Sequence, residues 1–174
     1  MRLSILFLIL IFWLTTNGQS ITGKENGLEL GTHLVNRKVK GYNGSHLYPR
    51  FSFGYRVSKS SSFEAMVGYL NYGYVSRSVS EIPLSAGYLL NLLPLFIKNE
   101  AFCHRVKFNH GLRYTLLLQH TRHKTGDTDL RGHHQVRYVP GIDLYFHKNW
   151  GVCYELILGD PNKQVMAFGL KYRL

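Results

Sequence analysis

Eight times along this chain, apolar side chains occupy every second position, and that repeat limits the fold more than any other feature. A period of two marks a strand, because successive side chains of a strand point to opposite faces of its sheet. The last segment is the clearest. Met166, Phe168, Leu170, Tyr172 and Leu174 form one column; Ala167, Gly169, Lys171 and Arg173 form the other. Seven further segments begin near Leu28, Phe51, Phe63, Ile82, Val106, Val136 and Val152, and each sets an apolar column against one rich in glycines, small residues and charges. Turn formers separate several of them, as in Gly41-Tyr42-Asn43-Gly44, Ser58-Lys59-Ser60-Ser61-Ser62 and Gly159-Asp160-Pro161-Asn162.

The N-terminus reads differently. Behind Met1-Arg2, the stretch Leu3 to Leu14 is apolar except for Ser4, and Thr15-Thr16-Asn17-Gly18 is small and polar. This is the pattern of a secretory signal peptide over 1–18, too short for the roughly 20 apolar residues of a membrane helix. A short periplasmic segment (19–26) and one barrel domain (27–174) are expected to follow. The net charge of +11 alone would admit nucleic acid as a partner, but export removes that class. No CxxC, HExxH, GxSxG or glycine-rich phosphate loop is present.

Segments of about ten residues can cross a bilayer when tilted, and a sheet in hydrocarbon must close so that no edge is left unpaired. The expected fold is therefore all-β: an eight-stranded antiparallel up-and-down transmembrane β-barrel in the outer membrane of a Gram-negative cell, with its N-terminus periplasmic. The apolar columns would then face lipid and the polar columns the lumen. A lipid-facing Arg or Lys at mid-depth costs roughly 2–4 kcal/mol. Glu29, Glu64, Asp143 and Glu155 would instead pair inside with Arg56, Lys107, Arg113, Arg137, Lys171 and Arg173. A barrel of eight strands is only wide enough for its own side chains, so these ten residues read as a salt-bridged plug.

Short turns inside and long loops outside are usual for such barrels. The outward connections are expected at about 36–47, 71–80, 119–134 and 159–164, and the inward ones at about 58–62, 91–105 and 147–150. The middle inward connection, Asn91 to Arg105, is long and apolar; it would extend the flanking strands or dock on the periplasmic rim. The outward loops are basic. Arg37, Lys38, Lys40, Arg122, Lys124 and Arg131 are candidate contacts to anionic lipid, against the plainer alternative of solvated cationic loops. His120, His123, His133 and His134 have no acid or thiol at matching ligand spacing, so neither a metal nor a cofactor is expected. His110 stands in an apolar column. A lipid A-modifying enzyme would need a serine beside it, and none pairs with it, so a one-residue register slip or bulge turning His110 inward is expected. Cys103 and Cys153 fall on next-nearest strands, too far apart for a disulfide unless the long connection folds across.

Several short motifs point to a family. Glu81-Ile82-Pro83-Leu84 with Gly87-Tyr88, His147-Lys148-Asn149-Trp150-Gly151-Val152 with Tyr154-Glu155, and the closing Phe168-Gly169-Leu170-Lys171-Tyr172-Arg173-Leu174 together resemble the small outer-membrane barrels common in Bacteroidetes, of the porin-family or PorT-like type. The resemblance implies a barrel inserted by the barrel assembly machinery, with Phe168, Leu170, Tyr172 and Leu174 as the assembly signal. That signal usually ends in Phe, and here it ends in Leu174. It implies no single activity. The expected function is a non-enzymatic barrel, read as a monomer, with a structural or adhesive role carried by its loops and with outer-membrane lipid and lipopolysaccharide as partners. The alternatives are a narrow porin-like channel and a lipid A-modifying enzyme.

Overall fold

The computed structural model describes residues 27–38, 45–58, 60–159 and 165–174. The signal peptide, the segment 19–26 and Lys40 lie outside the described residues. The alternating columns do form strands: β1 (Leu28–Lys38), β2 (Ser45–Ser58), β3 (Ser61–Gly68), β4 (Leu70–Gly73), β5 (Arg77–Asn91), β6 (Val106–His123), β7 (Thr128–Tyr145), β8 (Trp150–Ile157) and β9 (Val165–Arg173). β3 and β4 are one barrel strand interrupted at Tyr69, and both pair with β5. Each strand runs antiparallel to its sequence neighbour, and β1 pairs with β9 to close the ring. The result is a closed, eight-stranded, antiparallel up-and-down barrel.

One end of the barrel carries the start of β1 and the finish of β9, and is called here the terminal end; the other is the hairpin end. At the hairpin end three of the four connections are shorter than the sequence pattern suggests, because the strands run on. β1 reaches Lys38, only 74–76 join β4 to β5, and only 124–127 join β6 to β7. β6 and β7 are 18 residues each, against 8 for β8. Ladder pairing between β7 and β8 stops at Gly141↔Glu155, with one further bridge at Tyr138↔Leu158. β7 therefore runs on past the end of its ladder with β8.

At the terminal end, the long connection does not extend the strands. It forms two short helices, α1 (Leu93–Phe96) and α2 (Glu100–Arg105). The Asn91 side chain fixes where it leaves β5, since its Oδ1 accepts from the Leu93 amide at 3.2 Å and the Phe108 amide at 3.1 Å. Arg173, three strands away from β6, donates to the His104 carbonyl at 2.9 Å. The connection therefore lies across the mouth of the barrel, with its own Leu93 buried.

Candidate functional site

The inward columns stack in layers along the barrel axis. Nearest the terminal end, Glu29 accepts from three cations: Arg56 at 2.5 Å, Lys107 at 2.7 Å and Arg173 at 3.2 Å. The Arg173 guanidinium also stacks 3.2 Å above the Tyr145 ring. Above this layer, Lys171 pairs with Asp143 at 3.1 Å, and Asn109 donates to the same carboxylate at 2.8 Å. The next layer is centred on Arg113, which donates to Glu64 at 2.7 Å and to Glu155 at 3.0 Å. Burial leaves such charges no solvent shell, so each needs a fixed counter-charge. A void of about 10 Å³ beside Glu29, Lys107 and Asp143 has room for roughly one water.

Toward the hairpin end the lumen turns apolar. Val35, Tyr48, Leu70, Val139, Ile157 and Ala167 pack into a buried layer. Above it, Glu81 takes the Tyr72 hydroxyl at 2.7 Å and the Arg37 guanidinium. The Arg137 side chain is buried at this level and donates to Gln135. The ten residues assigned to the lumen all lie on inward columns.

The network also includes residues that counting charges in the recognisable segments does not reach. Arg50 donates to Glu155 at 2.6 Å, and His33 sits between Arg50 and Cys153 with Nε2 2.9 Å from Ser52 Oγ. The signal for Arg50 and Glu81 is parity: each extends a polar column by one or more steps, Arg50 from Ser52, Gly54 and Arg56, and Glu81 from Pro83, Ser85 and Gly87. His33, Glu64 and Glu155 are close enough to share an ion, within 4.8 Å of one another. Arg113 already occupies both carboxylates, and Arg50 and Lys171 are also directed at them, so this cluster is an ion-pair hub.

Arg37 requires a correction. The sequence pattern puts it in a basic outward loop, yet its side chain is buried and paired with Glu81, because β1 runs on to Lys38 and Arg37 falls in the inward column after Val35. The other described cations of that group are at the hairpin end and exposed: Lys38 on β1, Arg122 on β6, Lys124 in the β6–β7 turn and Arg131 on β7. Arg131 pairs with Asp129 at 2.6 Å. Of the neighbouring histidines, His134 bonds the Tyr114 hydroxyl.

His110 is a second correction. The β5–β6 and β6–β7 ladders carry no register shift, so His110 keeps its place on the outward face, opposite Leu90 and Pro140. Its Nδ1 shares a 2.5 Å hydrogen bond with the Tyr138 hydroxyl on the neighbouring strand. Each group satisfies the other, which removes the need for a slip. Among the described residues both cysteines are free thiols, although the long connection does cross the mouth: Cys103 in α2 donates to the Ile97 carbonyl, and Cys153 is buried in the lumen.

The outward face is a belt of apolar side chains. Leu34, Leu112, Val136 and Phe168 are each more than half exposed. Contiguous apolar surface on that scale is not what a soluble barrel presents to water. Toward the hairpin end the outward columns change to polar residues at Asn36, Asn71, Ser80, His120 and His134. The residues named as an assembly signal, Phe168, Leu170, Tyr172 and Leu174, lie along this belt, on β9 and just past its end.

No protein-family model matches the chain, and no curated protein does. Solved structures do. Neisserial surface protein A aligns with a TM-score of 0.57 at 15% identity, over 87% of this chain and 98% of that one. Ail, the attachment invasion locus protein of Yersinia pestis, solved with the heparin analogue sucrose octasulfate, aligns with a TM-score of 0.55 at 14% identity, over 86% and 97%. A major outer membrane protein of Thermus thermophilus aligns at 0.54 and 10% identity, over 87% and 100%. At these identities the likeness is one of fold.

Proposed function

We propose that this chain is a non-conducting, non-enzymatic barrel of the outer membrane, and that its hairpin end is the extracellular face and binds phosphate- or sulfate-bearing polymers at the cell surface. The observation that carries the reading is the contrast between a lumen closed by side chains and an exposed rim rich in cations. Among the described residues, that rim presents Lys38, Arg77, Arg122, Lys124 and Arg131 against Asp127 and Asp129. Multiple cations on one surface attract polyanions, and they do so in a salt-dependent way. The heparin analogue bound by Ail, a barrel of the same fold, supports polyanions as the ligand class. The belt of exposed apolar residues supports the membrane. The pairing of His110 with a tyrosine rather than a serine supports a role without lipid chemistry. On this reading the protein belongs among the small PorT-like Bacteroidetes barrels, is monomeric, faces the periplasm with its terminal end, is inserted by the barrel assembly machinery and contacts lipopolysaccharide.

The test uses the folded protein in detergent on immobilised heparin. Retention at low salt, with release as salt rises, is expected. A variant carrying Arg122→Ser and Lys124→Ser should elute at lower salt while keeping its heat-dependent gel shift. No retention at low salt, or elution unchanged in that variant, overturns the reading.

A further inference from the structure

The outward belt is not smooth. Among the described residues, Ala65 and Ala86 are the only alanines on the outward columns, and the register sets them side by side on β3 and β5. They floor a groove of about 520 Å³ walled by Phe53, Phe63, Tyr88 and Tyr114. The walls contact one another and their neighbours: the Phe63 and Tyr88 rings pack at a tilt with centroids 4.9 Å apart, and the Tyr114 hydroxyl is bonded to His134. The volume falls inside the roughly 300–1,000 Å³ range of small-ligand sites. On the opposite wall, formed by β8, β9 and β1, the outward columns carry Tyr154, Phe168, Leu34 and their neighbours.

The same strands carry charge directly above the groove. Along β6 the outward column runs Tyr114, Leu116, Leu118, His120 and Arg122, and the β5 column runs Ala86, Leu84, Ile82, Ser80 and Ser78. Six residues separate Tyr114 from His120, or about 20 Å at roughly 3.3 Å per residue. A strand tilted by about 45° turns that into about 14 Å of depth, close to half of a hydrocarbon core about 30 Å thick. The groove and the His120–Arg122 pair are therefore spaced about as far apart as a bilayer mid-plane and one headgroup layer.

We propose that this wall is a binding site for one phosphorylated glycolipid of the outer leaflet, of the lipid A type. The end of one acyl chain fills the Ala65–Ala86 notch, and the rest of that chain runs over Leu84, Leu116, Ile82 and Leu118. The headgroup phosphate meets Arg122 and His120. Two features set this wall apart from the rest of the belt: a notch with room for a chain end, and cations about one chain-length above it on the same face. The assignment of the leaflet rests on the orientation under Proposed function; the binding itself does not.

The test is native mass spectrometry of the purified, detergent-folded barrel with added hexa-acylated lipid A, and separately with phosphatidylglycerol. One lipid A is expected to be retained, in preference to phosphatidylglycerol. Ala86→Trp, which fills the notch, should weaken retention at least tenfold, and so should Arg122→Ala combined with His120→Ala. Leu34→Trp, on the opposite wall, should leave it unchanged. Ala86→Val serves as a milder filler if the tryptophan variant loses its heat-dependent gel shift. Equal retention by all variants, equal retention of the two lipids, or no retention overturns the proposal. The orientation is read separately, by labelling Lys124 with a membrane-impermeant amine reagent on whole cells. Labelling there with no lipid A retention would sink this site alone, and retention without labelling would sink the orientation alone.

Discussion

Arg113 shows at the scale of one side chain why the interior is ionic rather than oily. It is 1% exposed, and it donates to Glu64 and Glu155 from a single guanidinium. Removing one partner of a buried pair costs about 3–5 kcal/mol, because the partner left behind stays charged and dry. Arg113→Ala strands two carboxylates at once, so its cost should reach that range in urea titrations of the barrel in lipid vesicles. Arg131→Ala breaks an ion pair of similar length between side chains that are 67% and 39% exposed, and should cost below about 1 kcal/mol. Comparable costs for the two variants would mean that the lumen is wet and screened. The charges of this network are legible in the sequence because parity alone sorts a strand's residues into two faces. Arg37 is misplaced and Arg50 and Glu81 are missed for one shared reason: parity assigns a face only as far as a strand is known to run, and polar sequence hides its end. His33 stands in the right column, but it carries no formal charge and so escapes a tally of acids and bases.

At the scale of the element, closure depends on two strands that are far apart in sequence. β1 and β9 meet with Gly169 opposite His33, and a Cβ added at Gly169 would lie 2.2 Å from the Thr32 carbonyl oxygen and 2.9 Å from the His33 Cα. Both of those atoms are backbone, so relief requires moving a strand rather than a side chain. Overpacking of this kind costs roughly 1–3 kcal/mol where the surroundings can yield. Gly169→Ala should therefore lower the urea midpoint and weaken the band of the unheated, folded form on a gel. Gly73→Ala, which meets nothing within 4 Å, should leave both unchanged. An unperturbed Gly169→Ala barrel would mean that the β1–β9 seam yields to a methyl group without cost. The number and direction of the strands are readable from alternation, but their lengths are not. Gln119 to His123 contains no apolar residue, so its period of two is invisible, and it is strand because its backbone pairs with β5 and β7. The helices α1 and α2 have four and six residues, too few to display a 3.6-residue period.

For the whole molecule, the layers decide whether anything passes through. A path from mouth to mouth meets three barriers in series: the connection pinned by Arg173 to His104, the ion-paired layers around Glu29 and Arg113, and the apolar layer of Val35, Tyr48, Val139 and Ile157. The barriers differ in chemistry, so no single change of solution opens all of them. At 1 M salt the screening length falls to about 3 Å, which weakens exposed pairs but reaches little of a buried one. KCl leaves the apolar layer closed as well, since it does not solvate apolar surface as guanidinium or urea does. The barrel should accordingly give no discrete openings in planar bilayers at either 0.1 M or 1 M KCl. Openings at both concentrations would mean that the layers part on their own and would return the narrow-channel alternative. Openings at 1 M alone would place the weak barrier in the ionic layers, and the Arg113→Ala variant should then conduct at 0.1 M.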